Sequence, residues 1–272
     1  MAKALLLALP VLSATAAATA AEHDQCEPKA YEMALRYQQK SAEIMALQLQ
    51  TYRFATERFN EKLKDLKTPE NYAVVMDLDE TVLDNTPLLV RDMEQCHDYT
   101  KWDTWSDWEK QGKPGLIPGA KAFLDHVNQS KVRIYYVSDR MQENKADTLK
   151  TLNALGLPQV SDESVLLDTV SKEERRQSIL KKQQVVMLFG DSLPDFAVQF
   201  KNKKPSEQQR ELVEASADHF GNDWIVLPNA AYGSWSKATP DSWNAPLKKK
   251  CLRAGKAIAR LPGPSVSYPS RL

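Results

Sequence analysis

Short apolar runs alternate along most of the chain with longer segments whose apolar residues recur at helical spacing. The apolar runs predict strands within residues 71–77, 132–140, 164–167, 185–190 and 223–229. The helical segments are residues 120–130, 143–157 and 171–182. Strands that alternate with helices of this length are typical of β-α-β units. The sequence therefore predicts an α/β fold with a parallel, Rossmann-like sheet.

A long helical segment precedes the first predicted strand. Residues 29–68 contain neither glycine nor proline, and Ala, Leu, Glu, Lys and Gln dominate them. The pattern predicts one or two helices that end at Thr68, because the residue before a proline disfavours the helical conformation. We expect residues 22–70 to form an N-terminal helical segment that packs on a core domain.

A polar, tryptophan-rich stretch separates the first predicted strand from the next predicted helix. It reads "MEQCHDYTKWDTWSDWEKQGKPGLIPG" and closes with glycines and prolines between Gly112 and Gly119. We predict a small helical cap, inserted at about residues 86–118 into a core of residues 71–235. Residues 236–272 are rich in Ser, Pro and Lys, and we expect this C-terminal tail to be partly disordered.

The first residues have the layout of a secretory signal peptide. One lysine precedes a short apolar run and small residues that end near Ala20 and Ala21. A retained membrane anchor is the alternative, but the run contains Pro10 and is shorter than the roughly 20 residues that a spanning helix needs. Cys26 does not directly follow the small residues, which argues against lipidation. We predict a signal peptide at residues 1–21, no stable membrane insertion, and a periplasmic or secreted protein.

Composition and charge narrow the classes of partner. The chain has 272 residues, of which 42% are hydrophobic and 26% charged, as in ordinary globular proteins. Its formal net charge of +0 gives no support to a nucleic acid polymer as partner. The three cysteines, Cys26, Cys96 and Cys251, can form one disulfide and leave one thiol, and their spacing leaves the pairing open. Zinc binding is less favoured because no histidine lies at ligand spacing from them.

Polar and charged side chains cluster where the predicted strands end or the next helix begins. In chain order they are Asp77, Asp79, Ser138, Lys172, Asp191 and Asp195. The carboxyl ends of parallel strands share one edge of a sheet, so these groups can converge. The first two follow the strand in "NYAVVMDLDETVLDNT" and repel each other unless a cation lies between them or one holds a proton. A metal site, an acid/base pair and a solvated turn are all open at this point.

The combination of groups suits phosphoryl transfer. A carboxylate can attack phosphorus to form an aspartyl-phosphate, and a second carboxylate can exchange protons with the leaving group and with water. Hydroxyl and ammonium groups can neutralise the phosphoryl oxygens. Carboxylates together with a backbone carbonyl suit a hard cation such as Mg²⁺.

Two segments carry a resemblance to a known family. "VVMDLDETVLDN" and "VVMLFGDSLPDF" resemble the four-aspartate signature segments of the bacterial class C acid phosphatases, within the haloacid dehalogenase superfamily. "IVLPNAAYGSW" is similar to the closing segment of that family, and the similarity covers about residues 29–235. The resemblance implies a haloacid dehalogenase core and a Mg²⁺-dependent acid phosphatase that acts on small phosphomonoesters, including nucleoside 5′-monophosphates.

The resemblance also implies roles for individual residues. Asp77 would be the nucleophile and Asp79 the general acid/base. Ser138 and Lys172 would bind the phosphoryl group, although the arginines of "SKEERR" are neighbours that compete for the second role. Asp139 stands where the family often has asparagine, which changes the local charge.

The metal site implied by the resemblance combines the strand-end acids. Asp77 and Asp191 would hold Mg²⁺ through their carboxylates, and Asp79 through its backbone carbonyl. Asp195 would complete this set by orienting Lys172 or a metal-bound water.

The tryptophans of the cap are candidates for the substrate side. Trp102, Trp105 and Trp108 recur every three residues, which predicts that they lie along one side of a helix. They either pack the cap on the core or offer a stacking platform, since every nucleobase has a π-face. By resemblance, Trp108 and Tyr232 would flank the base, with Trp105 as the substitute.

Two alternatives to a hydrolase remain at this level. A phosphotransferase would use the same aspartyl-phosphate and pass it to an alcohol. A non-catalytic storage or binding protein on the same scaffold is disfavoured because Asp77 and the other acids are all present. Dimers occur among members of the resembling family, so a homodimer is also open.

Overall fold

The computed structural model of the chain describes residues 26–201 and 205–243. The chain divides into two units, Met1–Ala238 and Thr239–Leu272, and every element described below belongs to the first. The predicted signal peptide at residues 1–21, Cys251 and most of the predicted tail lie outside the described residues. None of the helices in the described ranges combines the length and the apolar character needed to cross a bilayer.

A five-stranded parallel sheet forms the centre of the fold. The strands of the described residues are β1 (Tyr72–Met76), β2 (Leu83–Asp84), β3 (Gly115–Leu116), β4 (Arg133–Met141), β5 (Val165–Asp168), β6 (Gln184–Gly190) and β7 (Trp224–Val226). The large sheet has the order β5-β4-β1-β6-β7, and each neighbouring pair is parallel. β2 and β3 form a separate antiparallel pair. The predicted α/β fold with a parallel sheet is confirmed.

Helices precede, interrupt and follow these strands. Within the described residues they are α1 (Glu32–Lys40), α2 (Ala42–Leu63), α3 (Thr86–Glu94), α4 (Trp105–Gln111), α5 (Ala120–Gln129), α6 (Lys145–Ala154), α7 (Lys172–Leu180) and α8 (Ser206–Ala215). The helix α6 ends before Gly156, which adopts the left-handed conformation that favours glycine.

The N-terminal segment forms two helices because Ser41 interrupts it. Ser41 has an extended backbone, and its Oγ accepts a hydrogen bond from the N–H of Ile44 at 3.1 Å, which caps α2. On the buried side of α2, Tyr52 stacks on Phe189 of β6 with ring centroids 6.0 Å apart. Tyr52, Phe59 and Phe189 belong to the main hydrophobic core, so the N-terminal helices are part of the folded core.

A tight turn after β1 fixes the first pair of aspartates. The carbonyl of Leu78 accepts hydrogen bonds from the N–H groups of Val82 and Leu83, each at 2.8 Å. The turn holds Glu80 fully buried at a φ of 55°. The hydroxyl of Tyr52 donates to the carbonyl of Thr81 at 2.7 Å, so α2 braces the turn from below.

The predicted cap, residues 86–118, contains α3 and α4, and its apolar side chains form a cluster with Leu35 of α1 and Ala231. The buried members of this cluster are Leu35, Leu88, Leu89, Met93, Tyr99, Trp105 and Ala231. A disulfide between Cys26 and Cys96 joins the start of the N-terminal helices to the segment after α3. This is the one bridge that the cysteine count allows.

The three cap tryptophans do not lie along one helix, so this prediction was wrong. Trp102 precedes α4 and has a left-handed backbone with a φ of 63°, whereas the helix begins at Trp105. Trp102 is the left-handed residue that ends the 3-10 helix Tyr99–Lys101, and residue spacing alone does not reveal such a break. Trp105 is buried in the cap cluster, and Trp108 packs against it.

Candidate active site

The carboxyl ends of β1 and β6 bring three aspartates together. One carboxylate oxygen from each of Asp77, Asp191 and Asp195 lies within 4.8 Å of the other two. Asp195 approaches closely because Gly190 has no side chain, since a Cβ there would lie 2.3 Å from Asp195 Oδ2. Asp195 Oδ2 also accepts a hydrogen bond from the N–H of Ser192 at 3.0 Å, which fixes the carboxylate.

Lys172 reaches this group from the first turn of α7. Ser171 caps the helix through a capping box, so the lysine begins an ordered helix. Its Nζ lies 2.9 Å from Asp77 Oδ1 and 2.6 Å from Asp195 Oδ1, and the side chain is 12% exposed. Lys172 is therefore a largely buried ion-pair partner of Asp77 and Asp195.

Burial and mutual repulsion strongly raise the pKa values of Asp77 and Asp191. Burial raises the pKa of Asp77 well above its ordinary value, and the neighbouring carboxylates add to this effect against the opposing ammonium of Lys172. Burial, with repulsion from Asp195, raises the pKa of Asp191 to about 8. Burial opposes the charge of Lys172, but Asp195 and Asp77 hold its pKa well above the ordinary value. Three acids thus face one ammonium in a largely buried site.

The donor set fits a metal ion. Three carboxylates that converge on one point offer the oxygen ligands that hard divalent cations prefer. A cation there would lower the pKa values of Asp77 and Asp191 and remove the repulsion between them. The carboxylate of Asp79 is not a member of this group.

The side chain of Asp79 has a different set of partners. Arg140 donates to its Oδ1 from Nη2 at 2.8 Å and from Nε at 3.0 Å, while Ser138 Oγ donates to its Oδ2 at 3.0 Å. Asn85 Nδ2 donates to Oδ1 at 2.9 Å. Burial would raise the pKa of Asp79, but the guanidinium of Arg140 and these hydrogen bonds outweigh it and hold the pKa below the ordinary value. The structure therefore shows Asp79 as a carboxylate held by donors.

Ser138 and the residue after it connect the site to α7. Ser138 Oγ also accepts a hydrogen bond from the N–H of Arg140 at 3.1 Å, which fixes the hydroxyl beside Asp79. Asp139 is 66% exposed, accepts from Arg175 Nη2 at 2.6 Å and lies 3.8 Å from Lys172 Nζ. A negative charge thus stands at the open side of the lysine.

Aromatic residues from the cap and from the segment after β7 lie beside the acids of the site. Trp108 Nε1 donates to Asn85 Oδ1 at 2.8 Å. The hydroxyl of Tyr232 donates to Glu80, and its ring meets Trp105 edge-on with centroids 6.3 Å apart. The three aromatic residues Trp108, Tyr232 and Trp105 therefore lie on the same side of the site. Hydrogen bonds hold Trp108 through its indole N–H and Tyr232 through its hydroxyl.

Sequence reasoning missed four residues of this site. They are Glu80, Asn85, Arg140 and Asn229. Asn229 Nδ2 donates to Asp191 Oδ2 at 2.7 Å. Asn229 lies in the segment "IVLPNAAYGSW", whose family resemblance does not by itself give this residue a role. Arg140 follows the strand-end serine by two residues, the same offset that separates the first two aspartates, and this spacing was an available signal.

Comparisons with known proteins agree with this geometry. Residues 3–235 match the family model described as HAD superfamily, subfamily IIIB (Acid phosphatase). The fold is similar to the class C acid phosphatase from Bacillus anthracis, with a TM-score of 0.72 and 32% sequence identity over 77% of this chain and 88% of that one. The same phosphatase with tungstate bound also matches, with a TM-score of 0.72, 31% identity and the same coverage.

The family match spans most of the chain, and the solved relative exceeds 30% identity over most of its length. The matched region contains all the strand-end acids, together with Lys172 and Arg140. Phosphomonoester hydrolysis is the activity that this family supports. The chain belongs to the acid phosphatases of HAD subfamily IIIB.

Proposed function

We propose that this phosphatase hydrolyses nucleoside 5′-monophosphates and other small phosphomonoesters through an aspartyl-phosphate on Asp77, with Mg²⁺ as its metal. The observation that carries the proposal is the position of Asp77. Its carboxylate ends the central strand β1, touches Lys172 and belongs to the group of three acids. A nucleophile needs this arrangement, because it must be fixed beside the charges that neutralise the phosphoryl group.

The first half of the reaction transfers the phosphoryl group to the protein. A carboxylate oxygen of Asp77 attacks phosphorus, the bond from phosphorus to the ester oxygen breaks, and Asp79 gives its proton to the departing alkoxide. Because Arg140 favours the ionised form of Asp79, the protonated form that this step needs is populated towards acidic pH. Lys172 and Ser138 lie beside the two aspartates and would donate to the phosphoryl oxygens. Mg²⁺, held by Asp77, Asp191 and Asp195, would supply positive charge that neutralises the phosphoryl oxygens.

The second half releases phosphate. Asp79, now ionised, takes a proton from a water molecule, whose oxygen attacks the phosphorus of the aspartyl-phosphate. The bond between phosphorus and the Asp77 oxygen breaks, which restores the carboxylate. Arg140 supports the ionised form of Asp79 in this step because it already pairs with that carboxylate at 2.8 Å.

The aromatic residues beside the site support the proposed substrate class. Trp108, Tyr232 and Trp105 place aromatic rings beside the acids, and base–aromatic stacking contributes about 1–3 kcal/mol per base. The related phosphatase has been solved with tungstate bound, an oxyanion, which supports the binding of a phosphate ester by this chain.

The protein would work in the periplasm or outside the cell. The support is the signal-peptide layout of residues 1–21 together with the disulfide between Cys26 and Cys96, since disulfides persist in oxidising compartments.

A substrate panel tests the proposal. Purified mature protein is assayed with nucleoside 5′-monophosphates, sugar phosphates and aryl phosphates, with Mg²⁺ and with a chelator. We expect metal-dependent hydrolysis, the highest kcat/KM for nucleotides, and no turnover by a folded Asp77→Asn variant. Equal rates in chelator, or an active Asp77→Asn variant, would remove the proposed mechanism. Product analysis with excess nucleoside separates hydrolysis from phosphotransfer.

A further inference from the structure

The carboxylate of Asp79 is tied to the cap by a short chain of hydrogen bonds. Asn85 Nδ2 donates to Asp79 Oδ1 at 2.9 Å, and Asn85 Oδ1 accepts from Trp108 Nε1 at 2.8 Å. Asn85 Oδ1 also accepts from Arg140 Nη2 at 3.2 Å. Asn85 is fully buried, and Trp108 lies on the cap helix α4. One amide thus joins the cap to the proposed acid/base.

The chemistry of the partners dictates the orientation of this amide. An indole N–H and a guanidinium only donate hydrogen bonds, whereas an ionised carboxylate only accepts them. The amide oxygen of Asn85 must therefore face Trp108 and Arg140, and its NH₂ must face Asp79. A flipped amide would place donor against donor and oxygen against carboxylate.

Helix capping does not explain the buried asparagine. Asn85 occupies the N-cap position of α3, where asparagine side chains usually accept from the helix N–H groups. Its side chain makes no such bond, and Asp84 accepts from the N–H of Thr86 at 2.9 Å in its place. The amide is directed into the site instead.

A second contact fixes the same helix beside Arg140. Glu109, next to Trp108 on α4, accepts from the N–H of Met141 at 3.2 Å and from Asn144 Nδ2 at 2.7 Å. Met141 directly follows Arg140 in the chain. The position of α4 is therefore linked to Asn85 and Arg140, two of the three side chains that donate to Asp79.

We propose that Asn85 is a positioning residue that couples the cap, through Trp108 Nε1, to the orientation of the Asp79 carboxylate. The coupling rests on the proposed function, since it matters only if Asp79 protonates the leaving group. It predicts that the indole N–H of Trp108 acts on kcat for substrates whose leaving group needs a proton. A purely stacking Trp108 would act on KM and be satisfied by any aromatic ring.

Leaving-group dependence separates these roles. Trp108→Phe keeps an aromatic ring and removes the N–H donor, and Asn85→Asp keeps the shape and the acceptor but turns the NH₂ into an oxygen that faces Asp79. Trp102→Phe is the matched control, because Trp102 is a cap tryptophan that is 43% exposed. Each variant is assayed for KM and, by rapid quench at saturating substrate, for the first-turnover rate constant of leaving-group release, on a nucleoside 5′-monophosphate and on 2,4-dinitrophenyl phosphate, whose leaving group departs without a proton. The first turnover excludes hydrolysis of the aspartyl-phosphate, in which Asp79 acts on both substrates alike.

We expect the loss in this first-turnover rate constant on the nucleotide to exceed the loss on the dinitrophenyl ester by about tenfold or more in Asn85→Asp, within the range of general acid catalysis. Trp108→Phe should show a smaller excess of the same sign, and Trp102→Phe the same factor on both substrates. Equal losses on both substrates in Trp108→Phe would overturn the coupling, even if Asn85→Asp fails to fold. Loss of the proposed function is distinguishable, because it would appear as an inactive wild type or an active Asp77→Asn variant.

Discussion

Replacing Arg140 by methionine tests the electrostatics of the Asp79 pocket. Arg140 is 2% exposed, and its guanidinium lies 2.8 Å from Asp79 Oδ1. At that distance and an effective dielectric constant of about 20, Coulomb's law gives roughly 6 kcal/mol, which the desolvation of both ions offsets in part. Methionine retains most of the volume but leaves a buried carboxylate with only the hydrogen bonds from Ser138 and Asn85.

Loss of one partner of a buried ion pair costs about 3–5 kcal/mol. We therefore expect Arg140→Met to lower the free energy of unfolding by about 3–5 kcal/mol at pH 7, or Tm by roughly 6–20 °C. The folded-state pKa of Asp79 is lowered, so its stabilising contribution is present above the unfolded pKa of about 3.9 and is lost as pH falls through the folded pKa. The deficit of the variant should already shrink near pH 4, because burial without the guanidinium raises the pKa of Asp79 and lets it take up a proton.

Urea unfolding with a chelator, followed by tryptophan fluorescence at pH 7 and near pH 4, measures this deficit. Arg53→Met is the control, because its pair with Glu57 is exposed and should contribute less than about 1 kcal/mol. Adding Asp79→Asn to Arg140→Met should recover part of the loss, since it removes the unpaired charge. A deficit below about 1 kcal/mol, or one that is the same at both pH values, would refute this account of the pocket.

Three further changes probe the rest of the site and the cap. Lys172→Met should lower kcat/KM for phosphomonoesters by about 100-fold or more, because the phosphoryl oxygens lose a fixed cation; an equal loss in Lys181→Met, an exposed lysine on the same stretch, would contradict this. Asp139→Asn should lower KM by roughly 2–5-fold, because an exposed carboxylate no longer competes with the substrate for Lys172. Steady-state kinetics at low and high salt measure this change, and an unchanged or higher KM would contradict it. Cys96→Ser should lower the free energy of unfolding by about 2–4 kcal/mol without reductant, because it opens a link across 70 residues; unchanged thermal unfolding would contradict it.

The sheet and the acids at its edge were predictable because their signal is local. Apolar strands that run directly into aspartates define both the element and its end, and neighbouring parallel strands must deliver those ends to one edge. The three acids, Asp77, Asp191 and Asp195, converge as this logic requires. The position of Lys172 was also predictable from local sequence, since a capping serine marks the start of its helix.

The partners of Asp79 were not predictable in the same way. Arg140 and Asn85 matter because a turn and the register of the cap aim them at one carboxylate, and neither is fixed by residue spacing. Asn85 looks like an ordinary helix cap from the sequence. Trp102 shows the same limit, because a single left-handed residue redirects the chain and ends a pattern that reads as helical.

The central claim is that Asp77 attacks phosphorus, and trapping the intermediate tests it most directly. Enzyme turning over a phosphomonoester is quenched in acid, treated with borohydride, which reduces an aspartyl-phosphate to homoserine, and mapped by peptide mass spectrometry. We expect homoserine at position 77 in the presence of substrate, and none without substrate or in Asp77→Asn. Turnover by the wild type with an unmodified Asp77, or with the modification at another aspartate, would contradict the mechanism.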